Sequence, residues 1–245
     1  IQISINNLND NTPSITSSAS FSVDENQTAI GTVTATDADG NDLTFSISGS
    51  EISINADTGV ISFIEAPDYE TKSSYSATVT ASDGTNSTTQ DITVAINDLN
   101  DEGPVFTSSS SFTADENQTA IGTVTATDAD ANTTLTYSLG GTDAASMTIN
   151  SASGVLAFVS APDYETKSSY SATVTASDGT NSTTQDITVA INDLNDNSPT
   201  FTSSSSFTAD ENQTAIGTVT ATDADADTTL VYSLAGTDAA SLTLN

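Results

Sequence analysis

The chain has no cysteine, no histidine, no tryptophan and no arginine, and its only cations are Lys72 and Lys167. Without cysteine there is no disulfide framework, and without cysteine or histidine there is no Cys-His or Ser-His-Asp nucleophile and no zinc centre. Two lysines against 33 acidic residues leave a formal net charge of -31. Nucleic acid and anionic membrane surfaces, which need a cationic footprint, are thereby excluded as partners. No apolar run reaches the roughly 18 residues of a membrane helix, and the opening residues are expected to be strand rather than signal peptide. Aromatics are 6% and hydrophobic residues 35%, which fits thin cores better than one large globule. Charged residues amount to only 14%, too few for a disordered polyelectrolyte, so the carboxylates must be placed rather than spread.

What is present is repetition. The string DENQTAIGTVTATDAD starts at Asp24, Asp115 and Asp210, and APDYETKSSYSATVTASDGTNSTTQDITVAINDLND starts at Ala66 and Ala161. Copies 91 and 95 residues apart are too long for a solenoid unit and fit one small domain each. The expected organisation is the last strand of a preceding repeat at 1–10, complete repeats at 11–101 and 102–196, and the first half of another at 197–245. The segment is expected to begin within a strand of a longer array.

Inside a repeat the hydrophobic period is two. Val33 and Ala35 alternate with threonines, as do Leu43, Phe45 and Ile47 with Thr44 and Ser46. Tyr75, Ala77, Val79 and Ala81 show the same alternation, and so do Ile92, Val94 and Ile96. Shorter runs at 20–23, 52–54 and 60–64 complete seven strands, separated by turn signals such as Asp57-Thr58-Gly59 and Asp83-Gly84-Thr85-Asn86. The fold class predicted is all-β, a tandem of seven-stranded immunoglobulin-like sandwiches, with no helix.

If each strand reverses direction, the acidic loops sort to the two ends. Glu25, Asp68, Glu70, Asp98 and Asp101 fall at one end of the first repeat; Asp37, Asp39 and Asp83 fall at the other. Stacking repeats end to end would then gather Glu25, Asp68, Glu70, Asp98, Asp101, Asp128, Asp130 and Asp178 at the middle junction. Glu116, Asp163, Glu165, Asp193, Asp196, Asp223 and Asp225 would gather at the next. So many carboxylates repel unless a cation neutralises them, and an all-oxygen donor set suits Ca²⁺.

These residues resemble the cadherin repeat. The family's acidic motifs read here as Asp24-Glu25-Asn26, Asp37-Ala38-Asp39, Pro67-Asp68-Tyr69-Glu70, Ala81-Ser82-Asp83-Gly84 and the linker Asp193-Leu194-Asn195-Asp196-Asn197-Ser198-Pro199-Thr200-Phe201. The resemblance implies about three Ca²⁺ per junction, with Asn7, Asn9, Asp10 and Asn11 serving the first and Leu99, Asn100 and Glu102 joining the middle one. It also implies that Leu99, Leu194 and the position of Glu102 or Asn197 bind through backbone carbonyls. Two departures stand out: Asn7 replaces the aspartate found at Asp98 and Asp193, and Glu102 stands where the last linker has Asn197. Adhesion by docking a tryptophan has no residue to carry it. The composition is more similar to cadherin-like arrays of giant bacterial surface proteins.

Other readings of the same residues are weaker. A glycosidase pair at Asp68 and Glu70 would have to recur in every repeat without an aromatic sugar platform. Asp37 to Asp42 has the glycine out of place for an EF-hand loop. The expectation is therefore a non-enzymatic, extracellular calcium-binding stalk or filament segment whose partners are its neighbouring repeats. An adhesin binding a glycan or a cell, and a self-assembling sheath of copies of itself, are the alternatives.

Overall fold

The computed structural model describes residues 1–226 and 228–244 as two compact units. The first comprises Ile1–Gly103 together with the loop Asp128–Thr133; the second comprises Pro104–Thr127 and the rest of the described chain. Each is built from strands.

In the first unit the strands are β1 (Ser14–Ile15), β2 (Ser20–Asp24), β3 (Ala29–Thr32), β4 (Ala35–Thr36), β5 (Thr44–Ile47), β6 (Ile52–Ile54), β7 (Val60–Phe63), β8 (Ser74–Ser82) and β9 (Ser87–Asn97). One sheet has the order β2-β9-β8-β5 and the facing one β3-β7-β6, while β1 pairs only with β4. The strands β2 and β9 run parallel and all the other pairs antiparallel. The alternation decides which side chains go inside. Ala77, Val79, Ile92, Val94 and Ile96 of one sheet meet Ile52, Ile61 and Phe63 of the other, and Val33 joins them. The serines and threonines between them face water. The ring of Phe63 lies edge-on to Tyr75 with centroids 4.8 Å apart.

The second unit repeats this plan with β10 (Val105–Phe106), β11 (Ser111–Asp115), β12 (Ala120–Thr123), β13 (Ala126–Thr127), β14 (Thr136–Gly140), β15 (Met147–Ile149), β16 (Val155–Phe158), β17 (Ser169–Ser177) and β18 (Ser182–Asn192). Its sheets are β11-β18-β17-β14 and β12-β16-β15. Tyr137 takes the place of Phe45, and its hydroxyl accepts the Ala126 amide at 3.0 Å. Beyond β18 only β19 (Thr200–Phe201) and β20 (Ala221–Thr222) pair among the described residues.

All seven expected strands are found, with three differences of detail. The run around Val33 is two strands. The bulge between Ala29 and Gly31 and the hydrogen bond from Val33 N–H to Gly59 O at 2.8 Å end the pairing of β3 with β7. The chain then crosses to pair with β1. That two-residue β1, and its counterpart β10, escaped the alternation rule because two residues show no period. Finally, short 3₁₀ turns occur at Ala144–Ser146 and Ala239–Ser241, where none was expected. Both follow a Gly-Thr-Asp segment with no alternating pattern, which gives a strand nothing to bury.

Gly59 makes the turn into β7 with φ +66°, and a Cβ there would lie 2.2 Å from the Val33 carbonyl oxygen. Gly154 repeats the geometry against Val124. The substitution Gly59→Ala is expected to destabilise the first unit by more than about 2 kcal/mol. Urea unfolding checks it, and a midpoint shifted by less than the fitting error would contradict it.

Candidate functional site

The parallel register of β2 against β9 carries both strands toward the same end of the first unit. The chain turns after β2 at Asn26 (φ 66°), and β9 ends at Asn97. The β7–β8 connection, Pro67-Asp68-Tyr69-Glu70, lies at that end as well, because Asn26 N–H donates to Pro67 O at 2.9 Å. The expected convergence is thus present within this unit. Oxygens of Glu25, Asp68 and Glu70 lie within 4.8 Å of one another, and so do those of Glu70, Asp101 and Asp130. Asp130 belongs by sequence to the second repeat, but its loop is part of the first unit: Glu102 N–H donates to its Oδ2 at 3.1 Å and Ala131 N–H donates to Asp98 Oδ2 at 2.8 Å.

The second unit holds the equivalent assembly. Glu116, Glu165 and Asp193 form one close group, and Glu165, Asp196 and Asp225 another. Asn197 N–H reaches Asp225 Oδ2 at 2.9 Å, its Nδ2 reaches Glu165 Oε2 at 3.0 Å, and Ala226 N–H reaches Asp193 Oδ2 at 2.8 Å. Asp163 instead binds its own turn, accepting from the Thr166 hydroxyl, as Asp68 does from Thr71. Asp223 accepts the Asp225 amide at 3.3 Å. Asp178 sits in a tight turn whose Thr180 and Asn181 amides both point at its Oδ1 at 2.6 Å.

The N-terminal set is different in kind. Around Asp39 amides dominate: Asp10 N–H, Asn11 N–H and Asn11 Nδ2 all donate to its carboxylate, and Asn7 Nδ2 donates to its carbonyl at 2.7 Å. Asn9 Nδ2 faces Asp83 O and the Thr85 hydroxyl. Among the described residues no three carboxylates close up around Asp37, Asp39 and Asp83. Two buried oxygens of this set, Asp37 Oδ2 and Asn9 Oδ1, accept no hydrogen bond, and neither does Asp128 Oδ2 in the loop that Asp130 shares.

Charge explains the electrostatics. Burial holds Glu70, Asp130 and Glu165 above the ordinary carboxylate range. For Glu70 the charges of Glu25, Asp98 and Asp130 add to it, for Asp130 those of Asp128, Asp101 and Asp98, and for Glu165 that of Glu116. Asp39 and Asp83 go the other way, held low chiefly by the Asn11 and Asn86 amides respectively. The chain's own cations are placed elsewhere. Lys72 pairs with Glu51 at 2.6 Å above the Tyr75 ring, and Lys167 pairs with Asp143 above Tyr170. The orphaned oxygens, the carboxylate groups and the absence of a lysine from them fit an added hard cation better than a proton or an internal ion pair.

Sequence reasoning missed what the buried glutamates touch. Glu25 and Glu116 are 2% and 1% exposed. Both oxygens of each accept backbone amides: Tyr69 and Leu99 for Glu25, Tyr164 and Leu194 for Glu116. Only the recurrence of a glutamate one residue beyond an alternating strand hinted at it.

Two sandwiches of the same strand order, each with an acidic loop set at one end, define a tandem array of β-sandwich domains. Comparison makes this specific. The sequence profile of the cadherin domain matches residues 19–97 and 110–192. Human Protocadherin Fat 4 is 33% identical over 219 residues, 82% of this chain and 4% of that protein; the mouse protein is 37% identical over 136 residues, 51% of this chain and 3% of its own length. Among solved structures, mouse Cadherin-23 EC22-24 superposes with a TM-score of 0.70 at 26% identity, covering 88% of this chain and 79% of that one. The protocadherin gammaB7 EC3-6 cis-dimer structure gives 0.74 at 25%, covering 89% and 62%. The chain belongs to the cadherin family. It is an extracellular, cell-surface type of segment and not an enzyme, and it spans only a few per cent of those curated relatives. No helix among the described residues is long and apolar enough to cross a membrane.

The raised carboxylates carry a pH signature. A group whose folded value lies above its unfolded value binds more protons when folded, so stability rises as pH falls through that window. In chelator, the melting temperature is expected to rise as the pH falls from neutrality toward the ordinary carboxylate range, because Glu70, Asp130 and Glu165 bind protons more readily in the folded state. It falls at lower pH, as Asp39 and Asp83 become protonated and their stabilisation is lost. A steady decline from neutrality would contradict this.

Proposed function

We propose that the chain is a calcium-stiffened segment of a cell-surface cadherin array, acting as a spacer rather than as the recognition tip. The observation that carries this is the carboxylate grouping at the end of each complete repeat, Glu25, Asp68, Glu70, Asp101 and Asp130 in one unit and Glu116, Glu165, Asp193, Asp196 and Asp225 in the other.

The residues proposed to hold the metal are Glu25, Asp68, Glu70, Asp98, Asp101 and Asp130 in the first set, with Asp128 contributing the orphaned Oδ2. Their counterparts in the second are Glu116, Asp163, Glu165, Asp193, Asp196 and Asp225. Ca²⁺ would supply neutralisation. The protein's part is to bring a loop of the following repeat, residues 128–133 or the segment at Asp225, against the end of the preceding one. With the charge neutralised, mutual repulsion within each acidic set becomes a shared set of ligands. Repetition supports the spacer role: the two complete repeats share a 36-residue string and differ in length by only four residues. Millimolar extracellular calcium fills weak sites of this sort, whereas cytosolic levels leave them empty.

Two outcomes test the reading. Calcium at a hundredfold excess over Kd is expected to add about 2.7 kcal/mol per occupied site, seen as a higher melting temperature and slower proteolysis than in chelator. Equal melting and equal cleavage rates would refute it. Asp193→Asn removes a formal charge from the second set and is expected to weaken calcium binding there roughly tenfold. Glu102→Asn is expected to change the first set by less than about twofold, because Glu102 presents its backbone to Asp130. Calorimetric titration of the whole chain separates the two. The reverse ranking would mean that the side-chain and backbone roles are exchanged.

A further inference from the structure

The parallel ladder of β2 and β9 closes its last residue pair at Asp24 and Asn97. One more bond follows, from Glu25 N–H to Asn97 O at 3.2 Å. In a parallel ladder the residue that donates to position 97 also accepts, through its carbonyl, the amide of position 99. Here the backbone leaves the sheet at Asn26, whose φ of 66° turns the chain toward Pro67. The Leu99 amide is nevertheless satisfied. It donates to Glu25 Oε1 at 2.8 Å, so the side-chain carboxylate stands where the missing rung's carbonyl would be. The other oxygen, Oε2, accepts Tyr69 N–H at 2.7 Å from the β7–β8 connection.

The second unit repeats the arrangement without exception. Glu116 N–H donates to Asn192 O at 3.3 Å, Leu194 N–H to Glu116 Oε1 at 2.6 Å, and Tyr164 N–H to Oε2 at 2.8 Å.

We infer that Glu25 and Glu116 are calcium-independent clamps. Each carboxylate replaces the final rung of the parallel ladder and ties three segments together: the end of the first long strand, the Asp-Tyr-Glu connection, and the first residues of the linker. Buried to 2% and 1%, the charge is compensated by two amide donors, and charged hydrogen bonds of this kind are about twice as strong as neutral ones. A carboxylate has about four lone-pair positions, so two amides leave room for a cation on the same group. The clamp thus pre-forms the acidic end of a repeat before any cation arrives, and it stands or falls independently of the calcium reading.

Amide exchange followed by nuclear magnetic resonance, on the whole chain in excess chelator, tests this. The method resolves the two repeats even though their sequences coincide over this region. The Tyr69, Leu99, Tyr164 and Leu194 amides are expected to be protected without calcium. Glu25→Gln is expected to speed exchange at Tyr69 and Leu99 roughly ten- to hundredfold while leaving Tyr164 and Leu194 unchanged. Glu116→Gln should do the converse, which keeps the test open if one variant fails to fold. Protection that appears only when calcium is added would overturn the inference, as would exchange at Tyr69 and Leu99 that Glu25→Gln leaves unaltered. Acceleration spread equally over both repeats would overturn it too, because it would report general unfolding.

Discussion

The constraint on which this structure turns is electrostatic: carboxylates held within a few ångströms of one another with no cation of the chain's own to separate them. In water at about 4 Å two such charges repel by about 1 kcal/mol, and partial burial multiplies that several-fold. Folding does not relieve the repulsion but concentrates it, because the strands that build the core also carry Glu25, Asp98 and the Asp68 loop to one end. The protein responds in three ways. It surrounds the most buried carboxylates with backbone amides, it raises the proton affinity of others such as Glu70 through desolvation and neighbouring charge, and it leaves oxygens such as Asp37 Oδ2 without a donor. The first response is internal. The other two mark where a metal ion would complete the coordination.

The division of labour among the carboxylates follows from depth. Glu25 and Glu116 lie at the end of the core strands and are nearly inaccessible, so they must be satisfied by the fold itself. Glu70 in the first unit and Glu165 in the second are more exposed, and partial desolvation and neighbouring charges raise them. In the N-terminal set Asn7 stands in place of an aspartate, and the Asp39 carboxylate accepts the Asp10 and Asn11 amides. With fewer carboxylates and more amide donors, the N-terminal set has less charge repulsion for an added cation to relieve than the two acidic sets.

Much of the fold was legible because a two-residue alternation of Val, Ile and Ala with Ser and Thr leaves a sandwich few alternatives. The clustering of Glu25, Asp68 and Glu70 was legible too, since alternating strand directions alone place those loops at one end. Pairings that depend on long-range backbone geometry were not. The switch of the Val33 strand from one sheet to the other depends on Gly59, 26 residues away in sequence. The contact between Glu25 and the amide of Leu99 spans 74 positions and involves no side chain of Leu99, so residue types alone could not signal it. Nor did the sequence distinguish Lys72 and Lys167 as counter-charges for the acidic ends from their actual place beside Glu51 and Asp143.

The central claim is that these carboxylates form discrete calcium sites rather than a diffuse negative surface. Equilibrium dialysis of the whole chain against calcium, repeated with sodium chloride raised to about 0.5 M, distinguishes the two most directly. The account predicts saturable uptake of several ions per chain that survives the salt and is reduced when Glu70 and Glu165 are replaced by glutamine. Calcium uptake that never saturates, and that monovalent salt displaces, would show counterions held only by net charge and would contradict it.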